Sequence, residues 1–128
     1  MKDELMKDEL IYLATPYTDP DPRVRKERFR IVNVIAAKLM AKGLHVFSPI
    51  SHCHPIALEG DLPKDWEYWE NYCRIMLKYC TKVMVVCQDG WENSVGIKGE
   101  IEIATEMGIP VEYIKWPLIK NGEMEWVQ

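Results

Sequence analysis

Glu100 is a carboxylate in a place where the pattern of the chain asks for an apolar side chain. It lies in the stretch 89–108, DGWENSVGIKGEIEIATEMG, where a tight polar loop leads into a short helical pattern that stops at Gly108. At about 100° per residue, Ile97, Ile101, Ala104 and Met107 share one arc, and Glu100 falls in its middle. Lys98, Glu102, Thr105 and Glu106 fall on the opposite side. An acidic group on the buried face of a helix is costly unless something uses it. A carboxylate so placed can act as a base or a nucleophile. The structural alternatives are an ion pair with Lys82 or Arg23, or a capping role.

Around it stand weaker candidates. Ser94 and the backbone near Gly96 open the helix, where exposed amides and the positive end of the dipole suit a phosphate. A plain N-cap at Asn93 or Ser94, with Gly96 relieving the turn, accounts for the same residues. No Walker-type glycine loop is present. Trp91 is suited to stack on a base, whereas Trp66 and Trp69 read as core or interface. His52 and His54 alternate around Cys53 and would share a side if that segment were extended. Arg23, Arg25, Lys26, Arg28 and Arg30 begin a helical pattern, as a solvated face or with Arg23 or Arg25 meeting a phosphate.

The elements that must position these groups follow from the chain in order. An apolar run at 11–15 reads as a strand covered on both faces, and Pro16 ends it. TPYTDPDP is a proline-punctuated loop. A helix is expected over 23–42, with Arg28, Val32, Ile35 and Leu39 on one side, Ile31, Ala36 and Met40 widening the stripe, and Gly43 as its stop. A strand at 44–48 leads to a His-, Pro- and Gly-rich loop over 50–64. A second helix is expected over 66–79, the most apolar strand at 81–87, the helix carrying Glu100, and a fourth strand at 109–115. Asn121-Gly122 signals a terminal hairpin, with Pro117 holding one strand at an edge. Strands alternating with helices imply a single α/β domain, flavodoxin- or Rossmann-like, with an open parallel sheet of four to five strands and helices on both faces. Ligands of such sheets bind at the carboxyl ends of the strands. The loops that matter are therefore 15–22, 48–63 and 88–96.

Composition sets the outer limits. The chain has 128 residues, 48 % hydrophobic and 28 % charged, which suits one globular domain. Residues 1–9 are expected to be a charged, solvated lead-in, and 10–128 the domain. The net charge of −4 argues against nucleic acid as partner. No apolar run reaches the roughly 18 residues of a membrane span, and the charged start is not a secretory signal. A cytoplasmic protein with no membrane partner is expected. The four cysteines, 53, 73, 80 and 87, form no C-x-x-C pair and read as reduced core or loop thiols. No cofactor and no metal is expected.

These motifs, taken together, carry a resemblance. The run Ile11-Tyr12-Leu13-Ala14 after a charged start resembles the first strand of the nucleoside 2-deoxyribosyltransferase-like superfamily. The run S-x-G-I-x-x-E-I-x-x-A from Ser94 to Ala104 resembles its nucleophile motif. The G-W-x-x-S-x-G form with Trp91, and S-P-I-x-H from Ser48 to His52, resemble a small bacterial and phage branch classed as a domain of unknown function. The resemblance spans roughly residues 11–115. It implies cleavage, by hydrolysis or transfer, of the N-glycosidic bond of a nucleoside, a deoxynucleoside or a 5′-monophosphate. Glu100 would be the nucleophile, Tyr12 would orient it, and Ser94 and Gly96 would hold a 5′-phosphate. With Trp91, Pro16, Tyr17 and His52 they make up the expected site, with a small nucleoside or nucleotide as partner. A homo-oligomer is also implied. The resemblance departs at Cys73, where relatives carry the Asp that protonates the leaving base. Asp61, Asp65, Glu70, His52 or His54 would have to replace it. The alternative is a nucleotide or nucleotide-sugar binding module that kept the pocket without the chemistry. A redox or metal module built on the cysteines and histidines is a third reading.

Overall fold

The computed structural model describes residues 8–120 and 123–126, with the side chains of 8–116. Strand β1, Ile11–Ala14, is an interior strand of the sheet and is wholly buried. Helix α1, Pro22–Ala41, starts where the Asp21 side chain accepts from the Arg23 amide and Pro22 sets the first φ. It ends before Gly43, whose φ of 92° only glycine takes without strain. Strand β2 is short, Val46–Phe47. Helix α2 follows over Pro49–Glu59 and helix α3 over Trp66–Lys78. Strand β3, Lys82–Cys87, leads through a 3-10 turn at Trp91–Asn93 into helix α4, Val95–Met107. Strands β4, Val111–Lys120, and β5, Glu123–Trp126, complete the sheet.

The sheet order is β2-β1-β3-β4-β5. The first four strands are parallel, and β5 runs antiparallel to β4. From β1 the chain moves outward to β2; from β3 it moves outward the other way to β4. The order therefore reverses between β1 and β3, and their carboxyl ends diverge into a crevice there.

Alternation along the two central strands divides the interior into two cores. Ile11, Leu13, Met84 and Val86 face α1 and meet its Val32, Ile35, Ala36 and Leu39. Tyr12, Ala14, Val83 and Val85 face the other way and meet Cys73 and Leu77 of α3 and Ile97, Ile103 and Ala104 of α4. Helices cover both faces, as the strand–helix alternation requires. At the amino ends of the strands, Lys82 binds Glu9 at 3.1 Å and Glu112 at 3.0 Å.

Four details differ from expectation. The segment 50–64 is not simply a loop: most of it forms α2. Pro49 ends β2 but also sits at the first helical position, and the Ser48 hydroxyl caps it by accepting from the Ser51 amide at 3.0 Å. Pro55 inside the helix removes one ladder bond, which the cap and the burial of Pro49, His54 and Ala57 offset. On α4, Ile103 rather than Met107 completes the buried face, and Met107 is exposed beside the terminal glycine. Met40 on α1 is likewise exposed. Strand β4 runs past 115 through Pro117, where its pairing with β5 shifts register between Ile114 and Ile119. The pairing is the expected antiparallel one, while the turn at Asn121-Gly122 and residues 1–7 fall outside the described residues.

Candidate functional site

Glu100 reaches the crevice because α4 starts at its rim. The Ser94 hydroxyl accepts from the Ile97 amide at 3.1 Å and fixes the first turn. The next turn points Glu100 inward with Ile97 and Ala104. Only 5 % of Glu100 is exposed. Beneath it lies Tyr12 of β1, fully buried, whose hydroxyl donates to Glu100 Oε2. Burial pushes the Glu100 carboxyl up to about 8, and the Tyr12 hydrogen bond acts against that rise. Tyr12 is itself raised well above the usual phenol value, first by burial and then by the neighbouring Glu100, so it remains a neutral donor. Lys82 is committed to Glu9 and Glu112, and Arg23 to Asp21. The alternative of an ion pair between Glu100 and Lys82 or Arg23 is therefore not realised.

An open cleft with about 630 Å³ of free space, mouth included, leads down to this carboxyl. Its lining comes from the ends of the first three strands and the helices behind them: Thr15 and Tyr17 after β1, Pro49, Cys53 and His54 on α2, Lys64 to Trp66, Trp69 and Cys73 at and along α3, and Ser94 and Gly96 at α4. The Thr15 hydroxyl is buried in this lining with no hydrogen-bond partner among the described residues. Trp66 owes its position to Gly99: a Cβ there would lie 2.3 Å from Trp66 Cζ2. The indole therefore rests against bare backbone of α4. Trp69 is held by its Nε1, which donates to the Pro63 carbonyl at 2.7 Å.

The cleft thus joins Glu100, Ser94, Gly96 and Tyr17, with Tyr12 under the floor. Pro16 is buried beside it but is not in the lining. Two expected residues lie elsewhere. His52 is exposed and stacks on Tyr72 with ring centroids 6.2 Å apart, because in a helix residues two apart diverge. Trp91 packs against Tyr113 at 5.8 Å in the second core. In their places stand His54, Trp66 and Trp69. His54 is 6 % exposed, its Nδ1 bonded to the Tyr17 hydroxyl at 2.5 Å and its ring stacked on Phe29 at 4.4 Å. Burial, Arg25 and Lys64 all lower its pKa, so the ring is neutral near pH 7. Asp65 and His54 line the cleft, whereas Asp61 and Glu70 do not. Asp65 is the N-cap residue of α3 but its side chain makes no capping bond.

Cys73 also lines the cleft, next to Tyr12. Burial first, then Glu100, pushes its thiol up to about 12. All four cysteines are free thiols. Among the described residues no group of three His, Cys, Asp or Glu side chains is disposed to hold a metal ion. Nor, among them, is any helix long and apolar enough to cross a membrane.

No curated protein matches this sequence. Its residues 9–115 do match the model of one family, from the strand before the cleft to the strand beyond it. The chain belongs to that family, described as Domain of unknown function (DUF1937).

Proposed function

We propose that this protein cleaves the N-glycosidic bond of a nucleoside or deoxynucleoside, or of its 5′-monophosphate, with Glu100 as the nucleophile. One observation carries the reading: a buried carboxyl, with no cation paired to it among the described residues and bonded to a buried phenol, forms the floor of a cleft at the strand-order switch. Burial makes the carboxylate more reactive once it is ionised, and Tyr12 orients it and favours the ionised form. Glu100 attacks the anomeric carbon as the carbon–nitrogen bond breaks, and the base leaves with the electron pair. Water, or a second base, then displaces Glu100, following the logic of a retaining glycosidase. Trp66 and Trp69 offer aromatic faces to a base. Ser94 and the first turn of α4 offer the positive end of a helix to a phosphate. The resemblance to the nucleoside 2-deoxyribosyltransferase-like superfamily supports the same roles for Tyr12, Glu100, Ser94 and Gly96. It also supports a homo-oligomer, which sedimentation of the purified chain would test.

The test is release of free base from a panel of nucleosides, deoxynucleosides and their 5′-monophosphates, run beside Glu100→Gln. Release is expected from the native chain and not from the variant. Release that survives in Glu100→Gln would overturn the nucleophile. A second reading, a nucleotide-binding module of the same fold, is favoured by Cys73, a thiol raised to about 12 in the wall of the cleft. Tight nucleotide binding with no base released from any substrate would select it.

A further inference from the structure

A base that leaves with the electron pair of its glycosidic bond needs a proton. Several groups of the cleft are poorly suited to supply it. Cys53 and Cys73 are thiols that burial pushes up to about 11 and about 12. Lys64 donates its Nζ to the Leu62 carbonyl at 3.0 Å. The pair Tyr17 and His54 is different. Both line the cleft, and they share a hydrogen bond between the Tyr17 hydroxyl and His54 Nδ1. The imidazole is fixed by Phe29 stacked on its face, with Tyr17 at its edge at an interplanar angle of 78°. Arg25 stands beside this pair. Its guanidinium donates to the Asp19 carbonyl and acts on the Tyr17 hydroxyl, opposing the rise that burial causes there.

We propose that His54 and Tyr17 form a proton relay to the departing base, with Arg25 as the positioning residue that holds the charge left on Tyr17. The inference rests on the glycosidic reading of Glu100. With Nδ1 accepting from the Tyr17 hydroxyl, the neutral imidazole carries its hydrogen on Nε2. As the carbon–nitrogen bond breaks, that hydrogen passes from Nε2 to the base nitrogen. The Tyr17 hydroxyl hydrogen passes to Nδ1, and the phenolate faces Arg25. In the second step a water oxygen attacks the anomeric carbon and displaces Glu100. One water hydrogen returns to Nε2 while the Nδ1 hydrogen returns to Tyr17. No charge is built on the imidazole, which suits a ring whose protonation is disfavoured by burial, Arg25 and Lys64.

The experiment compares 2′-deoxyguanosine and its 5′-monophosphate with their 7-methylated forms. The methylated base already carries a positive charge and leaves without a proton. His54→Gln and Tyr17→Phe are expected to slow release of the unmodified base by about 100-fold or more, and to slow the methylated base at least tenfold less. Glu100→Gln abolishes release from both. Thermal unfolding confirms that each variant is folded, and Tyr17→Phe keeps the ring that packs on His54. Equal losses on the two substrates, or none, overturn the relay and leave the nucleophile standing. Loss on both forms only in Glu100→Gln has that same meaning. A native chain that releases neither base overturns the relay together with the reading beneath it.

Discussion

Replacing Glu100 by Gln keeps the shape of the side chain and removes its charge, so it separates chemistry from packing. In the native chain the carboxyl titrates near 8, against about 4.5 when exposed. A raised folded value means that the folded state keeps a proton the unfolded state has lost. Stability from this group is full below about pH 4.5 and falls as pH rises toward 8. Glu100→Gln should therefore gain stability over the native chain across that window, by at most about 1.4 kcal/mol for each pH unit. Denaturant unfolding of both proteins from pH 4 to 9 measures it, and a constant difference would contradict the raised value. For catalysis the sign is reversed: base release should rise with pH, reach half its maximum near 8 and level off above it. Tyr12→Phe removes the donor that opposes the rise, and should move that limb to higher pH. Glu100 was legible in the sequence because helical period is a local property. Tyr12 was legible only through the resemblance, since its partner is 88 residues away.

At the scale of elements, the contact between α3 and α4 depends on the absence of a side chain at Gly99. Gly99→Ala would drive a methyl group into the Trp66 indole, costing about 1–3 kcal/mol by overpacking and displacing one wall of the cleft. The loss should shrink in a Trp66→Leu background, and a thermal-unfolding cycle over the four proteins checks that coupling. Full additivity would refute it. Nothing in the spacing of Trp66 and Trp69 announces this role, because a tryptophan on a helix face also fits a core. Helix α2 escaped the sequence reading for a related reason. Histidines, Pro49 and Pro55 are loop signals when taken singly, yet Ser48 and Pro49 form a start signal that outweighs Pro55. Without that helix, His52 and His54 fall on one side; with it, only His54 enters the cleft.

Across the whole molecule, the parallel sheet and the three loops at the carboxyl ends were legible because parallel α/β topology is constrained by connection rules as well as by residues. Side-chain partners formed across the sheet were not, since their register belongs to the tertiary structure. The four thiols offer a readout of global integrity: burial is the first cause of the rise at each, to about 12 at Cys73 and about 11 at Cys53 and Cys80. Alkylation at pH 8 should be slow in the folded protein and fast once unfolded, with Cys73 and Cys80 losing protection in the same denaturant transition. Separate transitions would mean that the two buried thiols do not report one cooperative unit. The buried carboxyl also bears on how this chain would change under selection. A library sorted for heat resistance alone, near neutral pH, should enrich neutral side chains at position 100, because there the native residue opposes folding. Function and robustness pull that codon in opposite directions, and a thermostable descendant bred without an activity screen would lose the floor of its cleft first.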